Sequence, residues 1–283
     1  MRVPVGFQSA KLDIYRCWRA RGMLGKSTMS RISRRKFLGL GASALPAILG
    51  LDACFVEPTR LRLRNLKLSN ESTCRFVHFS DFHYSGDSEY AAEVVGAINK
   101  LEPDFVCFTG DLVEDRSYAA EALSFVREIH APVYGIPGNH DYWSRTPFPE
   151  YERAFAATGG AWFPNSAIVL PQHDLELVGN GIIGMPAAQA ESVTRHVLLL
   201  HYPAMADRLG HRRFDLILAG HSHGGQVRLP FIGPLLLPSG VGPYDYGCYD
   251  TPGGPLSVSA GIGTLSSFPI RWNCPPEITL VTI

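Results

Sequence analysis

From Cys74 onward the chain alternates short apolar runs with amphipathic stretches. Arg75 to Phe79, Phe105 to Thr109, Val133 to Pro137, Val197 to Leu200 and Leu216 to Ala219 are the runs, and each is followed by polar residues or glycine. Runs this short and this apolar read as strands buried on both faces, with ends that open onto loops. Between the early runs the period lengthens. Tyr90 to Leu101 places Ala91, Val94, Val95 and Ile98 on one helical face, and Tyr118 to Ile129 does the same with Leu123, Val126 and Ile129. Strand and helix in alternation predict an α/β domain with a largely parallel inner sheet.

The second half changes character. After a predicted helix near Phe148 to Thr158, short strand patterns follow one another between glycine and proline turns, around Ile168 to Leu170, Leu175 to Val178, Gln226 to Leu229, Leu256 to Ser259 and Ile278 to Ile283. These predict a second, more mixed sheet packed on the first. Upstream, Arg60 to Leu68 alternates polar residues with Leu61, Leu63, Leu66 and Leu68 and reads as an edge strand, its basic side chains facing solvent or anionic headgroups. No repeat or low-complexity linker interrupts the chain after residue 70. The expected organisation is an N-terminal segment over 1–54 and one catalytic domain over 55–283.

Composition changes this picture at the N-terminus. The 283 residues carry 26 basic and 26 acidic side chains, but the first 36 hold 10 Lys or Arg against the single acid Asp13. The remainder is therefore mildly acidic, which disfavours general nucleic-acid binding. Ser33-Arg34-Arg35-Lys36 stands directly before an apolar stretch from Phe37 to Leu51, the layout of a twin-arginine export signal. The implied partner is the export machinery and the implied location extracytoplasmic. The apolar stretch is short for a membrane span of roughly 20 residues, so cleavage and retention as a membrane tether are both open. Met29 offers a second start that would give a compact signal. Leu51-Asp52-Ala53-Cys54 has a faint likeness to a lipoprotein processing site. Cys74, Cys107, Cys248 and Cys274 form no close pair and no ligand cluster with histidine in the sequence, and read as buried free thiols or as one or two disulfides.

Candidate chemistry gathers where the apolar runs stop. Ser80-Asp81-Phe82-His83, Thr109-Gly110-Asp111, Gly138-Asn139-His140-Asp141, Leu200-His201-Tyr202 and Gly220-His221-Ser222-His223 are five short islands at strand ends, where ligands collect in open α/β sheets. Strand alternation would turn Asp81 and His83 to one side with Phe82 packed on the other, and His221 and His223 likewise. Asp81, His83, Asp111, Asn139, His201, His221 and His223 can all ligate metal, and His140 is left beside them.

In order and spacing these islands resemble the signature of the calcineurin-like metallophosphoesterases, over roughly residues 72 to 283. The resemblance implies a four-layer α/β-β/α sandwich of two mixed sheets flanked by helices, with a dinuclear metal site at the C-terminal ends of the strands. Residue by residue it implies that Asp81, His83, Asp111 and His223 hold one divalent ion and Asp111, Asn139, His201 and His221 the other, Asp111 being the bridge. Mixed O and N ligands suit Mn, Fe, Zn or Co. The implied chemistry is in-line attack on phosphorus by a hydroxide bridging the metals, with His140 as general acid or hydrogen-bond donor and Asp141 orienting either His140 or its loop.

Phe55-Val56-Glu57-Pro58, Gly224-Gly225-Gln226-Val227-Arg228-Leu229-Pro230 and Pro269-Ile270-Arg271-Trp272-Asn273-Cys274-Pro275-Pro276-Glu277-Ile278 look like the bacterial exported or membrane-attached branch. Phe231 to Pro238 is an apolar loop that the resemblance places near the site mouth. It either meets a lipid-linked substrate or packs on the body. The expected activity is phosphodiester hydrolysis, possible substrates extending to a UDP-2,3-diacylglucosamine-type pyrophosphate; a silent metal-binding partner protein is the reading from another class. Tyr202 after His201, and a short Gly179 to Arg195 stretch without an acidic pair, depart from the family pattern and touch substrate contacts, not ligands.

Overall fold

The computed structural model describes residues 49–69, 74–181 and 190–283. The export-signal motif, Met29 and Cys17 lie outside them, as does the middle of the Gly179 to Arg195 stretch.

In the first half the predicted alternation holds. Strands β1 (Arg62–Lys67), β2 (Arg75–Phe79), β3 (Phe105–Phe108), β4 (Val133–Gly135) and β5 (Ala161–Trp162) enter one sheet, with helices α1 (Ser88–Lys100), α2 (Ala119–Arg127), α3 (Asn139–Trp143) and α4 (Phe148–Ala157) between them. Asp87 caps α1 by accepting the Tyr90 N–H, and the buried Tyr90, Ala91, Val94, Val95 and Ile98 form the face that the helical period required. The second half supplies β6 (Ala167–Leu170), β7 (Leu175–Asn180), β8 (Arg195–Leu200), β9 (Leu216–Ala219), β10 (Arg228–Leu229), β11 (Gly233–Pro234), β12 (Gly247–Thr251), β13 (Gly254–Val258) and β14 (Glu277–Thr282).

Two six-stranded sheets result, in the orders β1-β14-β2-β3-β4-β5 and β12-β13-β9-β8-β7-β6. Both are mixed. In the first, β2 to β5 run parallel and β14 is antiparallel to β2; in the second, β7, β8, β9 and β13 run parallel, with antiparallel strands at both edges. Alternate residues of β2 and β3 serve two cores. Phe76, Phe105 and Cys107 face Leu175, Leu177, Val197, Leu199, Leu216 and Leu218 across the gap between the sheets. Val77, Phe79, Val106 and Phe108 pack instead under α1, α2 and α4. Period-two alternation with both faces apolar makes the uniform hydrophobicity of these strands a packing requirement.

Two strand assignments need correction. Ile278 to Ile283 was expected in the second sheet, yet β14 lies in the first, between β1 and β2, where the antiparallel register Val281 to Phe76 fills the gap. Gln226 to Leu229 was also expected there, but Gly224, Gly225 and Gln226 all have positive φ and break the chain direction. Only Arg228–Leu229 remains extended, paired with Gly233–Pro234 in a small hairpin of its own. β1 is an edge strand as expected, but its basic residues are not equivalent. Arg64 turns inward, donating to Glu277 Oε1 at 3.1 Å and to Ser257 Oγ at 2.6 Å, and so ties the two sheets together.

The segment before β1 is anchored to the loop before β14. Asp52–Val56 forms a π-helical turn whose Ala53 carbonyl accepts the Arg271 N–H at 3.0 Å, and the buried Glu57 carboxylate accepts the Cys274 N–H. Arg271 itself is fully buried and donates to the carbonyls of Cys274 (2.9 Å), Ala260 (2.8 Å) and Gly263 (2.6 Å). Arg271→Met would strand those carbonyls without donors and is expected to cost about 3–5 kcal/mol, read as a lower urea midpoint at unchanged slope. A wild-type midpoint would mean that the carbonyls find other donors. Cys54, Cys74, Cys107, Cys248 and Cys274 are free thiols. Among the described residues no helix is long and apolar enough to cross a membrane.

Candidate metal centre

The C-terminal ends of β2, β3, β8 and β9 meet at one edge of the sandwich, and α3 begins beside them. All five islands therefore converge, although 142 positions separate Asp81 from His223. Asp81 and His83 follow β2, Asp111 follows β3, Asn139 is the first residue of α3, His201 follows β8, and His221 and His223 follow β9.

Strand alternation is not what aims these side chains. Asp81, His83, Asp111, His221 and His223 all have positive φ, between 46° and 65°. Left-handed backbone is uncommon for such residues and each instance costs of the order of 1–3 kcal/mol, so the fold spends stability on this geometry. Between Asp81 and His83, Phe82 packs into the helix-side core, as alternation also would have required. Hydrogen bonds hold the turns: Asp81 N–H to the Gly110 carbonyl (2.9 Å), His83 N–H to the Asp111 carbonyl (3.1 Å) and His221 N–H to Asp81 Oδ1 (2.9 Å). Close approach explains two glycines of the islands. A Cβ at Gly138 would lie 2.1 Å from Asp111 Oδ1, and one at Gly220 would lie 2.4 Å from Asp81 Oδ2.

The donor atoms form two groups linked by a third, in which ligand atoms of His83, Asp111 and His140 lie within 4.8 Å of one another. Asp81, His83 and His223 bring one ligand atom each to within 4.8 Å of one another, and Asp111, His201 and His221 do the same. His83 Nε2 lies 3.4 Å from Asp111 Oδ2 and His201 Nε2 lies 3.3 Å from that oxygen, so Asp111 stands between the groups. Asn139 Oδ1 is 3.0 Å from His201 Nε2 and joins the second group.

The tautomers follow from the partners. His201 Nδ1 faces the Thr109 carbonyl at 2.8 Å and His221 Nε2 faces the Ser239 carbonyl at 2.8 Å; a carbonyl only accepts, so these nitrogens carry the protons. Each ring then turns its other nitrogen to the centre. His83 Nε2 and His223 Nε2 are 3.1 Å apart and point at each other. Facing nitrogens beside two buried carboxylates suit a cation, and the carbonyl partners behind His201 and His221 are the supports that metal-binding histidines have.

Electrostatics point the same way. Burial alone would raise the Asp111 carboxyl, but the His201 and His83 imidazoles hold it well below the usual carboxylate range. Burial raises Asp81. Burial opposes a charge on His83, yet Asp111 and Glu114 push it up to about 10. His223, buried beside His83, is driven well below its ordinary value. Protons on some rings thus balance the carboxylates, and a divalent ion would compete with those protons for the same nitrogens.

His140 sits at the rim. Its N–H donates to Asp111 Oδ1 at 2.8 Å, and its half-buried ring stands edge-on to His83 (4.7 Å) and Trp143 (4.8 Å). Burial pushes the imidazole below its ordinary range. The choice left open for Asp141 is resolved in favour of the loop: its carboxylate accepts the N–H groups of Asp111 (2.8 Å), Leu112 (2.9 Å) and Gly138 (2.8 Å) and the Tyr151 hydroxyl (2.9 Å). Burial and the Asp111 charge still push that carboxyl up to about 6.

A cavity of about 540 Å³ opens beside the second group, walled by His140, Trp143, Tyr202, Leu236, Leu237 and Phe268. Its lining includes no lysine or arginine among the described residues. Tyr202, the departure after His201, both walls this cavity and packs its ring edge-on against His221 at 4.4 Å.

Sequence reasoning missed three features. Glu114, whose Oε1 lies 3.2 Å from His83 Nδ1, is held at about 2 despite burial by His83 and Ser266; its place three residues after Asp111 was the available signal. Trp143, three residues after His140 on α3, was equally within reach. The third, Cys74 beside Asp104 and His173, contradicts the expectation that no cysteine joins a histidine cluster, since folding alone brings these together. Burial and Asp104 push that thiol up to about 12, so it stays protonated and is a poor ligand.

Comparison with known proteins follows the same residues. The family model described as calcineurin-like phosphoesterase matches residues 74–225, more than half of the chain. The chain is 29% identical to the uncharacterized metallophosphoesterase YkuE of Bacillus subtilis over 90% of this chain and 99% of that one. It is 27% identical to the phosphodiesterase YaeI of Escherichia coli over 89% and 99%. It is 25% identical to the UDP-2,3-diacylglucosamine pyrophosphatase LpxG of Chlamydia trachomatis over 66% and 77%. With five ligand-bearing islands converging inside the matched span, the chain belongs to the calcineurin-like phosphoesterase family.

Proposed function

We propose that this protein is a dinuclear phosphodiesterase acting on a lipid-linked phosphodiester outside the cytoplasm. Asp81, His83 and His223 would hold one ion and Asn139, His201 and His221 the other, with the Asp111 carboxylate placed between the two groups. When bound, the two ions activate water and neutralise the phosphoryl oxygens. The protein's own residues do the rest. The Thr109 carbonyl and the Ser239 carbonyl fix the tautomers and planes of His201 and His221, and the Glu114 carboxylate stands 3.2 Å behind His83 Nδ1, so that ring orientation need not be acquired during the reaction. The backbone N–H of His140, bonded to Asp111, places the His140 ring over the first group, where it donates to the leaving oxygen as the phosphorus–oxygen bond breaks.

The observation that carries the lipid-linked reading is the cavity wall. A nucleic acid brings many charges and calls for lysine or arginine contacts; this cavity offers Trp143, Tyr202, Leu236, Leu237 and Phe268 instead. One phosphodiester flanked by an apolar group fits such a lining. The similarity to LpxG favours a second substrate, a UDP-2,3-diacylglucosamine-type pyrophosphate. The twin-arginine motif before Phe37 supports export, and the stretch from Phe37 to Leu51 supports a retained tether.

The test is a panel of phosphomonoesters, activated phosphodiesters, nucleotide sugars and phospholipids, offered to the Mn-loaded protein. Expected is diester turnover that chelation abolishes and Mn restores. Activity confined to monoesters removes the diesterase reading, and no turnover on any of them at full metal occupancy leaves the silent partner protein.

A further inference from the structure

The apolar surface continues past the cavity. Leu236 and Leu237 line it, and the chain on their N-terminal side is the β10–β11 hairpin, whose tip is Pro230-Phe231-Ile232. Phe231 is fully exposed, Ile232 is 76% exposed and Leu236 74%. Residues 229–238 include no charged side chain. Phe231 also has a φ of 66°, an unfavourable conformation for a bulky aromatic residue that no packing at the tip offsets.

The hairpin is rigidly based. Arg228 N–H donates to the Trp272 carbonyl at 2.9 Å, and its guanidinium to Asp245 Oδ2 at 2.7 Å and the Gly224 carbonyl at 2.8 Å. The same short segment, Ile270 to Cys274, holds the Ala53 carbonyl and the Glu57 carboxylate. Exposed Leu51, Phe55 and Val56 lie on that N-terminal piece, and the sequence leading into it from Phe37 is apolar. Two apolar features, one on the site rim and one at the end of the candidate tether, are therefore fastened to one segment.

We infer that the Phe231–Ile232 tip is a membrane-docking wedge that seats the mouth of the metal centre on a lipid bilayer. It deepens the lipid-linked reading above and rests on it for its purpose, though not for its test. The exposed apolar side chains of this strip, Phe231, Ile232, Leu235, Leu236 and Leu237, are too few for a stable protein interface. They are sufficient for reversible insertion when a second apolar attachment shares the load. The uncharged strip from Ile232 to Leu237 then gives an acyl-bearing phosphodiester a continuous apolar route from the bilayer to the cavity.

The experiment compares the full-length wild-type chain with a Phe231→Ser/Ile232→Ser variant and with Ile232→Trp, using vesicles of phosphatidylethanolamine and phosphatidylglycerol. The deciding readout is the extra tryptophan emission of Ile232→Trp. Quenching of that emission by bromine-labelled acyl chains places the tip in the hydrocarbon, whatever the N-terminal stretch contributes. The double-serine variant should float with vesicles at least about tenfold less well, while hydrolysing a soluble activated phosphodiester at the wild-type rate. An unquenched Ile232→Trp overturns the proposal. So does a wild-type dimer that the serine substitutions dissolve without any quenching, which would assign the tip to a second copy. Because binding and quenching need no turnover, a failed wedge and a failed diesterase reading are distinguishable.

Discussion

Asp111→Asn is expected to remove nearly all turnover, lowering kcat/KM by at least about a thousandfold. The change keeps the shape of the side chain and removes its charge. Asp111 Oδ2 is the oxygen placed between the two groups, 3.4 Å from His83 Nε2 and 3.3 Å from His201 Nε2, while Oδ1 accepts the His140 N–H at 2.8 Å. A carboxylate can serve a cation with each oxygen. An amide offers one weak oxygen and turns an NH₂ toward the other site. Metal content by elemental analysis should fall together with rate, and the metal-free protein should unfold at a lower temperature, because the charge that balances the buried His83 and His201 imidazoles is lost. Full metal occupancy with more than a tenth of wild-type activity would show that Asp111 is not shared.

His140→Ala should behave differently. Metal content is expected to stay at the wild-type level, and kcat to drop by about 10²–10⁴-fold with KM little changed. The ring lies beside both groups but is edge-on to His83 and Trp143, and its link to Asp111 runs through the backbone N–H, which alanine retains. Lost donation to a leaving oxygen matters most when that oxygen is basic. The deficit should therefore shrink on an activated aryl diester and be largest on an alkyl one. An equal loss on both would move His140 from the leaving group to a phosphoryl oxygen, and unchanged turnover would remove it from the mechanism.

These two residues also mark how far the sequence could be read. The ligand types were legible because each island follows an apolar run and each run had to end at a sheet edge. That argument is local, and it requires only what the structure shows, that Asp81, His83, Asp111, Asn139, His201, His221 and His223 lie together at one sheet edge. The means of aiming them was not legible. Alternation along an extended strand would also have turned Asp81 and His83 to one side, but the backbone achieves this with left-handed turns that sequence periodicity does not encode. Glu114 was hidden for a related reason, since its role depends on where the β3 loop places it against His83.

Longer-range features were further from reach. β14 and β6 both read as short strands of the second half, yet one slots between β1 and β2 in the first sheet and the other forms an edge of the second. A strand's pattern records how buried its faces are, not which partner buries them. Arg271 shows the same limit at one residue: a lone arginine in a Pro-rich segment reads as surface, while the structure buries it fully among carbonyls.

By itself the sequence determined the alternating strand-and-helix order, the inventory of metal-capable side chains and their position at strand ends, because hydrophobic periodicity and turn residues are local properties. Only the tertiary structure decided that Asp111 stands between the two groups of donor atoms, that Asp141 serves its loop, that Trp143 and Leu236 wall one cavity and that Phe231 is exposed at a hairpin tip. Each of these depends on contacts between residues far apart in the chain, and such contacts exist only once the two sheets have packed.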